Sequence, residues 1–287
     1  HVYDDSDTFD REHTIGIGID PKTGCQDGER FYSAHYLRLR ERWQLGVYAM
    51  AEDKEFKSPQ HGNDLVKALL NGGHHQIIVG GQQRICSAKT VKGAPLLMPR
   101  GKLDSFEQRN DKFLVKWILL SPAIWPAINA EVERDINAHP GGWLPNWINP
   151  YNGDVLLKSG DVARRKSEGR ETWRQRVRRQ GNISAKLVSA IVSKPIVVTG
   201  WSLPDEGGAS DAEKSGGAKS THLAVPAGSV YYFEADSADE AAKLAAALNW
   251  HGSDTQRMTI KNRRSTLLGE KGFGLGVCGT WRFHGEQ

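Results

Sequence analysis

Gly274-Leu275-Gly276-Val277-Cys278-Gly279 spells G-x-G-x-x-G, and the strand-like run after it constrains the fold more than any other feature of the chain. A dinucleotide-binding version of this motif needs a strand before it, a helix opening inside it and an acidic residue about 20 positions further on. Here the glycines run into Thr280-Trp281-Arg282-Phe283, which alternates like a strand, and eight residues come after Gly279. The motif therefore predicts a loop that leads into a strand. Glycines leave no Cβ in the way of a close approach, so the loop's amides, with Lys271 just before them, are expected to suit a polyanion, and nucleic acid is the polyanion favoured.

The charge distribution points the same way. The chain has 287 residues and a formal charge of +4. The window 164–186 alone holds nine basic residues, Arg164, Arg165, Lys166, Arg170, Arg174, Arg176, Arg178, Arg179 and Lys186, against Glu168 and Glu171, so the rest of the chain is net acidic. Such a block is either an electrostatic footprint for phosphate or a solvated helix or mobile insertion. No apolar run approaches the roughly 20 residues of a membrane span, and no secretory signal opens the chain, so a cytoplasmic address is expected. Cys25, Cys86 and Cys278 are widely spaced without C-x-x-C pairing, which points to reduced thiols rather than a disulfide framework or a zinc site. The sequence begins at His1 with Asp4, Asp5, Asp7 and Asp10 close behind, which reads as the start of a fragment.

Along the chain, His13–Asp20 and Tyr32–Arg40, with Gln44–Ala49, read as antiparallel strands. A short capped helix is expected at Leu65–Leu70, a strand at Gln76–Val79, and a buried strand at Phe113–Leu120 ended by Ser121-Pro122. Residues 140–151 should be irregular, with Trp143 and Trp147 as packing anchors. A helix is expected at Ile183–Ser193, a strand at Pro195–Trp201 and a flexible loop at Pro204–Ser220. The final unit is a strand at Val230–Phe233 and then a helix, its start marked by Ser237 and Glu240 in a capping box. Ala241, Leu244, Ala245 and Leu248 give that helix one apolar stripe, and a basic glycine loop then leads to the last strand. Strand, helix, loop and strand make half of a ferredoxin-like unit.

In their order and spacing, several strings resemble the RAMP superfamily of CRISPR RNA-binding proteins. They are Ile15-Gly-Ile-Gly-Ile-Asp20 with Arg30-Phe-Tyr-Ser33, Val79-Gly-Gly-Gln-Gln-Arg84, Ser121-Pro-Ala-Ile124, Gly200-Trp201, Val225-Pro-Ala-Gly-Ser-Val-Tyr-Tyr-Phe233 and Gly272-Phe-Gly-Leu-Gly276. More narrowly, the chain resembles the Cmr subunit of type III-B effector complexes that holds the 5′ handle of the guide RNA. The resemblance implies an α+β, ferredoxin-like (RRM-like) RAMP fold with insertions and without the family's opening strand and helix. Residues 1–193 would form its central part, with a basic insertion at about 151–182, and residues 194–287 its C-terminal half.

The function so implied is non-catalytic: to clamp the 5′ handle and cap an RNA-targeting effector complex in antiviral defence. The partners would be guide RNA, the large polymerase-like signalling subunit, a backbone RAMP subunit and, indirectly, target RNA. Neither cofactor nor metal is expected. Single-stranded RNA needs cations for phosphates and platforms for bases. Three groups fit that need: Lys271, Gly272, Phe273, Gly274, Leu275 and Gly276 with Arg263 and Arg264; Gln82, Gln83 and Arg84; and Arg38 with Arg40, which alternation places on one strand face. The rival function is a metal-independent endoribonuclease that uses a histidine, His35 or His222 among ten, to process precursor guide RNA. A scaffold without RNA contact is a third.

Overall fold

A computed structural model describes residues 5–19, 23–46, 74–78, 85–89, 98–131, 137–160, 162, 164–202, 217–256 and 259–283. The chain divides into two compact units, His1–Met98 and Pro99–Gln287. The expected helix at 65–70 lies outside the described residues, as do most of the expected loop at 204–220 and the tail of the strand expected at 44–49.

In the first unit, a helical turn Asp5–Thr8 enters a long antiparallel ribbon of β1 (Phe9–Ile19) and β2 (Gln26–Leu39), in register from Phe9 opposite Leu39 to Ile17 opposite Phe31. The alternation of isoleucine with small and polar residues gives the ribbon its period of two. β3 (His74–Ile78) and β4 (Ile85–Lys89) form a second antiparallel pair.

The second unit is organised by one antiparallel sheet. Its strands are β5 (Glu107–Arg109), β6 (Lys112–Leu119), β7 (Ala185–Ile191), β12 (Val230–Ala235) and β13 (Gly276–Thr280). The hairpin of β8 (Ile196–Val198) and β11 (His222–Ala224) and that of β9 (Trp201–Ser202) and β10 (Gly217–Ala218) lie between β7 and β12 in sequence. Across the sheet the order is β13, β6, β12, β7, with β5 on the same edge of β6 as β13. Counted along the chain, the four long strands therefore stand fourth, first, third, second, and all neighbours are antiparallel, the arrangement of a ferredoxin-like sheet. The half-unit expected at 194–287 supplies only the third and fourth strands. β6 and β7, from before the expected boundary at 193, complete it.

Strand β7 stands where a helix was expected over 183–193. Ile183, Leu187, Ala190 and Ile191 fit a helical stripe, but Ile183 and Ala185 also alternate, and pairing with β12 decides for the strand. The core of this unit forms as expected. Trp117, Tyr231 and Phe233 point to one buried sheet face, which the helix Ala238–Leu248 covers with Ala241, Leu244, Ala245 and Leu248. Burial of each leucine there is worth about 1.5–3 kcal/mol. The Ser237 side chain accepts from the Glu240 amide, capping the helix, while the Glu240 carboxylate accepts from the Ser184 amide instead of returning to its own cap. In the irregular segment Trp147 stacks on Phe233 with ring centroids 6.1 Å apart, as an anchor should, whereas Trp143 is 53% exposed.

Candidate nucleic-acid interface

The glycine loop is fastened to the end of β6 by its own backbone. Residues Gly269–Lys271 form one tight turn, entered by Leu268 and left by Gly272 in left-handed conformations. The Ser121 hydroxyl donates to the Gly272 carbonyl at 2.7 Å and accepts the Leu275 amide at 2.9 Å. The amides of Lys271 and Phe273 donate to Leu268, that of Gly272 to Gly269 and that of Gly274 to Pro122. Every backbone N–H from Lys271 to Leu275 is thus spent within the protein. The expectation that these amides await a polyanion is corrected on that ground.

The glycines have the same inward purpose. A Cβ on Gly274 would lie 2.0 Å from the Ser265 nitrogen, and one on Gly276 would lie 2.2 Å from the indole nitrogen of Trp117. That indole donates to the Leu248 carbonyl at 3.0 Å, which ties loop, sheet and helix together. Gly276 to Gly279 already belong to β13, so the strand begins inside the motif rather than after it. Only Gly272, at φ +85° with open space where a Cβ would be, serves the turn alone.

What the loop shows to solvent is side chain. Lys271 and Arg263 are exposed, and Phe273 and Leu275 are half-buried. Arg263 lies against the turn, its Cβ 3.6 Å from where Gly269 would carry one. Arg264 faces the other way. Its Nε donates to the Ala247 carbonyl at 2.7 Å, its guanidinium also reaches Asn262 Oδ1 at 3.4 Å, and burial lowers its pKa to about 10. Asn262 donates to the carbonyls of Ala246 and Asn249. The pair caps the C-terminal end of the helix Ala238–Leu248, where carbonyls lack partners in the helix. Arg264 is a structural residue and leaves the set of candidate RNA contacts.

The other expected groups separate. Gln82, Gln83 and Arg84 lie outside the described residues. Arg38 and Arg40 share a face of the β1–β2 ribbon, as alternation requires, but each is met from β1: Arg38 by Glu12 at 2.6 Å and Arg40 by Asp10 at 2.8 Å. Their charge is compensated in place. On the opposite face His13 and His35 pair across the ribbon with ring centroids 4.8 Å apart, and His13 Nε2 lies 2.6 Å from the Ser33 hydroxyl. His139 and His251 are buried and structural: Gly141 donates to His139 Nδ1 and Gly101 to His251 Nε2. Burial lowers the pKa of His251, with the nearby Arg100 acting in the same direction.

The basic block folds in part as a helix, Arg170–Arg178, the element that the solvated-helix reading of the block allowed. The window's Arg-x-x-x-Arg-x-x-x-Arg spacing was the available signal for it. No helix among the described residues is long and apolar enough to cross a membrane, and among them no cluster of His, Cys, Asp or Glu could hold a metal ion.

No curated protein sequence matches the chain. The family described as CRISPR-associated protein (Cas_Cmr3) matches over residues 1–281. With that match spanning nearly the whole sequence and a ferredoxin-like sheet at the centre of the second unit, the chain belongs to the Cmr3 family, RAMP-like subunits of the type III-B CRISPR effector complex.

Proposed function

We propose that this effector subunit is a non-catalytic RNA clamp that holds the 5′ handle of the guide RNA and caps one end of the complex. In that position it would meet the large polymerase-like subunit on one side and a backbone RAMP subunit on the other, in the cytoplasm of its prokaryotic host. The observation that carries the reading is the exposed pair Lys271 and Arg263 on a loop whose amides from Lys271 to Leu275 are all spent on the loop itself and on Ser121 and Pro122. A rigid mount holds cations at a set position, which phosphate contacts use to fix register. The half-buried Phe273 beside them offers apolar surface to an unstacked base.

The test is to purify the complex from its host, crosslink it, and sequence the RNA joined to this subunit. Guide RNAs joined near one common 5′ sequence support the clamp; crosslinks scattered along the guide, or none, reject it. In the isolated chain, Lys271→Ala with Arg263→Ala should reduce the salt slope for single-stranded handle RNA by about 1.4, at about 0.7 for each lost contact.

The cross-strand pair of His13 and His35 beside Ser33 keeps one alternative in view, an endoribonuclease that needs no metal. Cleavage of repeat RNA in EDTA that His13→Ala or His35→Ala abolishes would establish it. RNA left intact by the unaltered chain would remove it.

A further inference from the structure

The helix Arg170–Arg178 has none of its residues buried, so it is not held by the core. It is held by two local tethers. Trp173 turns inward and its indole donates to the Val162 carbonyl at 2.8 Å. Glu168, with a side chain 9% exposed, is forked by Arg176 at 2.8 Å and 3.0 Å. The block's other carboxylate, Glu171, lies 3.8 Å from Arg174. Both acidic groups are therefore engaged, while Lys166, Arg170, Arg178 and Arg179 are exposed and meet no carboxylate among the described residues.

Arg170, Arg174 and Arg178 succeed one another at i, i+4 and i+8, a stripe that advances by about 6 Å per step. Like charges at this spacing destabilise a helix, and no residue of this helix is fully buried to offset that, Trp173, Arg176 and Val177 being half-buried. Of the three, Arg174 alone meets a carboxylate among the described residues, at 3.8 Å; Arg170 and Arg178 are left without one, and an external polyanion supplies it. Guanidinium forks match phosphate oxygens in pairs. The stripe carries no aromatic side chain, since Trp173 is committed to Val162, so it has no platform for unstacked bases. Contacts of this kind position a nucleic acid without reading it.

We infer that the Arg170–Arg178 helix is a second RNA-binding surface, one that grips the sugar–phosphate backbone of base-paired RNA independently of sequence. In an RNA-guided complex the base-paired RNA is the duplex of guide and target, which proteins hold through its shape and backbone. This surface is separate from the loop at Lys271 and does not rest on handle recognition.

The experiment uses the full chain, a fluorescein-labelled RNA duplex of about 20 base pairs in two unrelated sequences, and anisotropy titrations between about 50 and 200 mM salt. The triple variant R170A/R174A/R178A should lower the salt slope by about 3, equally for both sequences, and weaken binding at least about tenfold at the lower salt. The triple lysine variant keeps the charge and should keep most of the slope. Circular dichroism and thermal denaturation should match the unaltered chain, since no core residue is touched. Preference for handle RNA over a scrambled handle should not change in the triple alanine variant, which separates this inference from the clamp reading. An unchanged duplex slope overturns the inference. So does a loss confined to one sequence, or an equal loss of binding to labelled polyglutamate, which would make the partner an acidic protein segment.

Discussion

The loop from Arg263 to Gly276 and the helix Arg170–Arg178 both gather cations, yet one is bolted to the sheet and the other buries no residue. In the loop, acceptors are abundant: the helix end at Ala246 to Asn249 presents bare carbonyls, and Arg264 and Asn262 are used up in meeting them. In the arginine helix, cations outnumber acceptors, and the surplus faces solvent. The contrast shows that an arginine's task is set by the acceptors within its reach, not by the charge of its neighbourhood in sequence. It also divides the consequences of mutation. Changes in the loop's frame should cost stability, and changes on the helix should cost ligand binding.

The largest effect is expected at Gly276. An alanine there must displace the Trp117 indole, 2.2 Å from the new Cβ, or the Ile118 carbonyl at 2.8 Å. Overpacking of this kind costs about 1–3 kcal/mol, which in a unit of this size lowers Tm by about 2–4 °C for each kcal/mol. Gly272→Ala meets no atom and carries only the strain of a positive φ, about 1 kcal/mol. Thermal denaturation should rank Gly276→Ala well below Gly272→Ala, with R170A/R174A/R178A within about 0.5 kcal/mol of the unaltered chain. Equal losses at the two glycines would mean that the loop is not fastened through Trp117.

A second contrast separates neighbours. Arg264→Met removes charge-assisted hydrogen bonds to Ala247 and Asn262 and should cost about 1.5–3 kcal/mol in urea denaturation. Arg263→Met, at an exposed position, should leave stability within about 0.5 kcal/mol and reduce RNA affinity instead. If Arg264→Met is neutral for stability and weakens RNA binding, the division between frame and display fails at this pair.

The range of the forces involved explains why so much of the second unit was legible in the sequence, and the site less so. The stripe Ala241, Leu244, Ala245 and Leu248 and the cap at Ser237 are local patterns, and they form as written. The run Ile183–Ile191 satisfies two periods at once, and only its partner β12, remote in sequence, selects the strand. The glycines of the last motif read as room for a polyanion. What approaches Gly276 is Trp117, and nothing near Gly276 in sequence names it. Arg263 and Arg264 are chemically identical and adjacent, so composition could not tell which one the helix end would claim. The pairing of Arg38 with Glu12 and of Arg40 with Asp10 likewise needed the register of β1 on β2.

The smallest effect sits on the arginine helix itself and tests whether its tether is electrostatic. Hydrogen bonding from Arg176 holds the Glu168 pKa at about 2, well below the ordinary carboxylate value near 4.3. The unfolded segment therefore takes up a proton first as pH falls. The tether contributes fully above about pH 4.3 and is lost as pH drops toward 2, with stability rising with pH across that window. Amide exchange by mass spectrometry should show protection of residues 170–178 falling between about pH 4.5 and 2.5 relative to the β6–β12 core. Glu168→Gln keeps the shape but removes the charge, so its helix should be less protected at neutral pH and flat through the acid window. Because the helix shares no core with the sheet, Glu168→Gln at neutral pH should not move the main unfolding transition. A fall in global Tm with Glu168→Gln would show that the two regions are one cooperative unit, and the contrast between a bolted loop and a separately tethered helix would be lost.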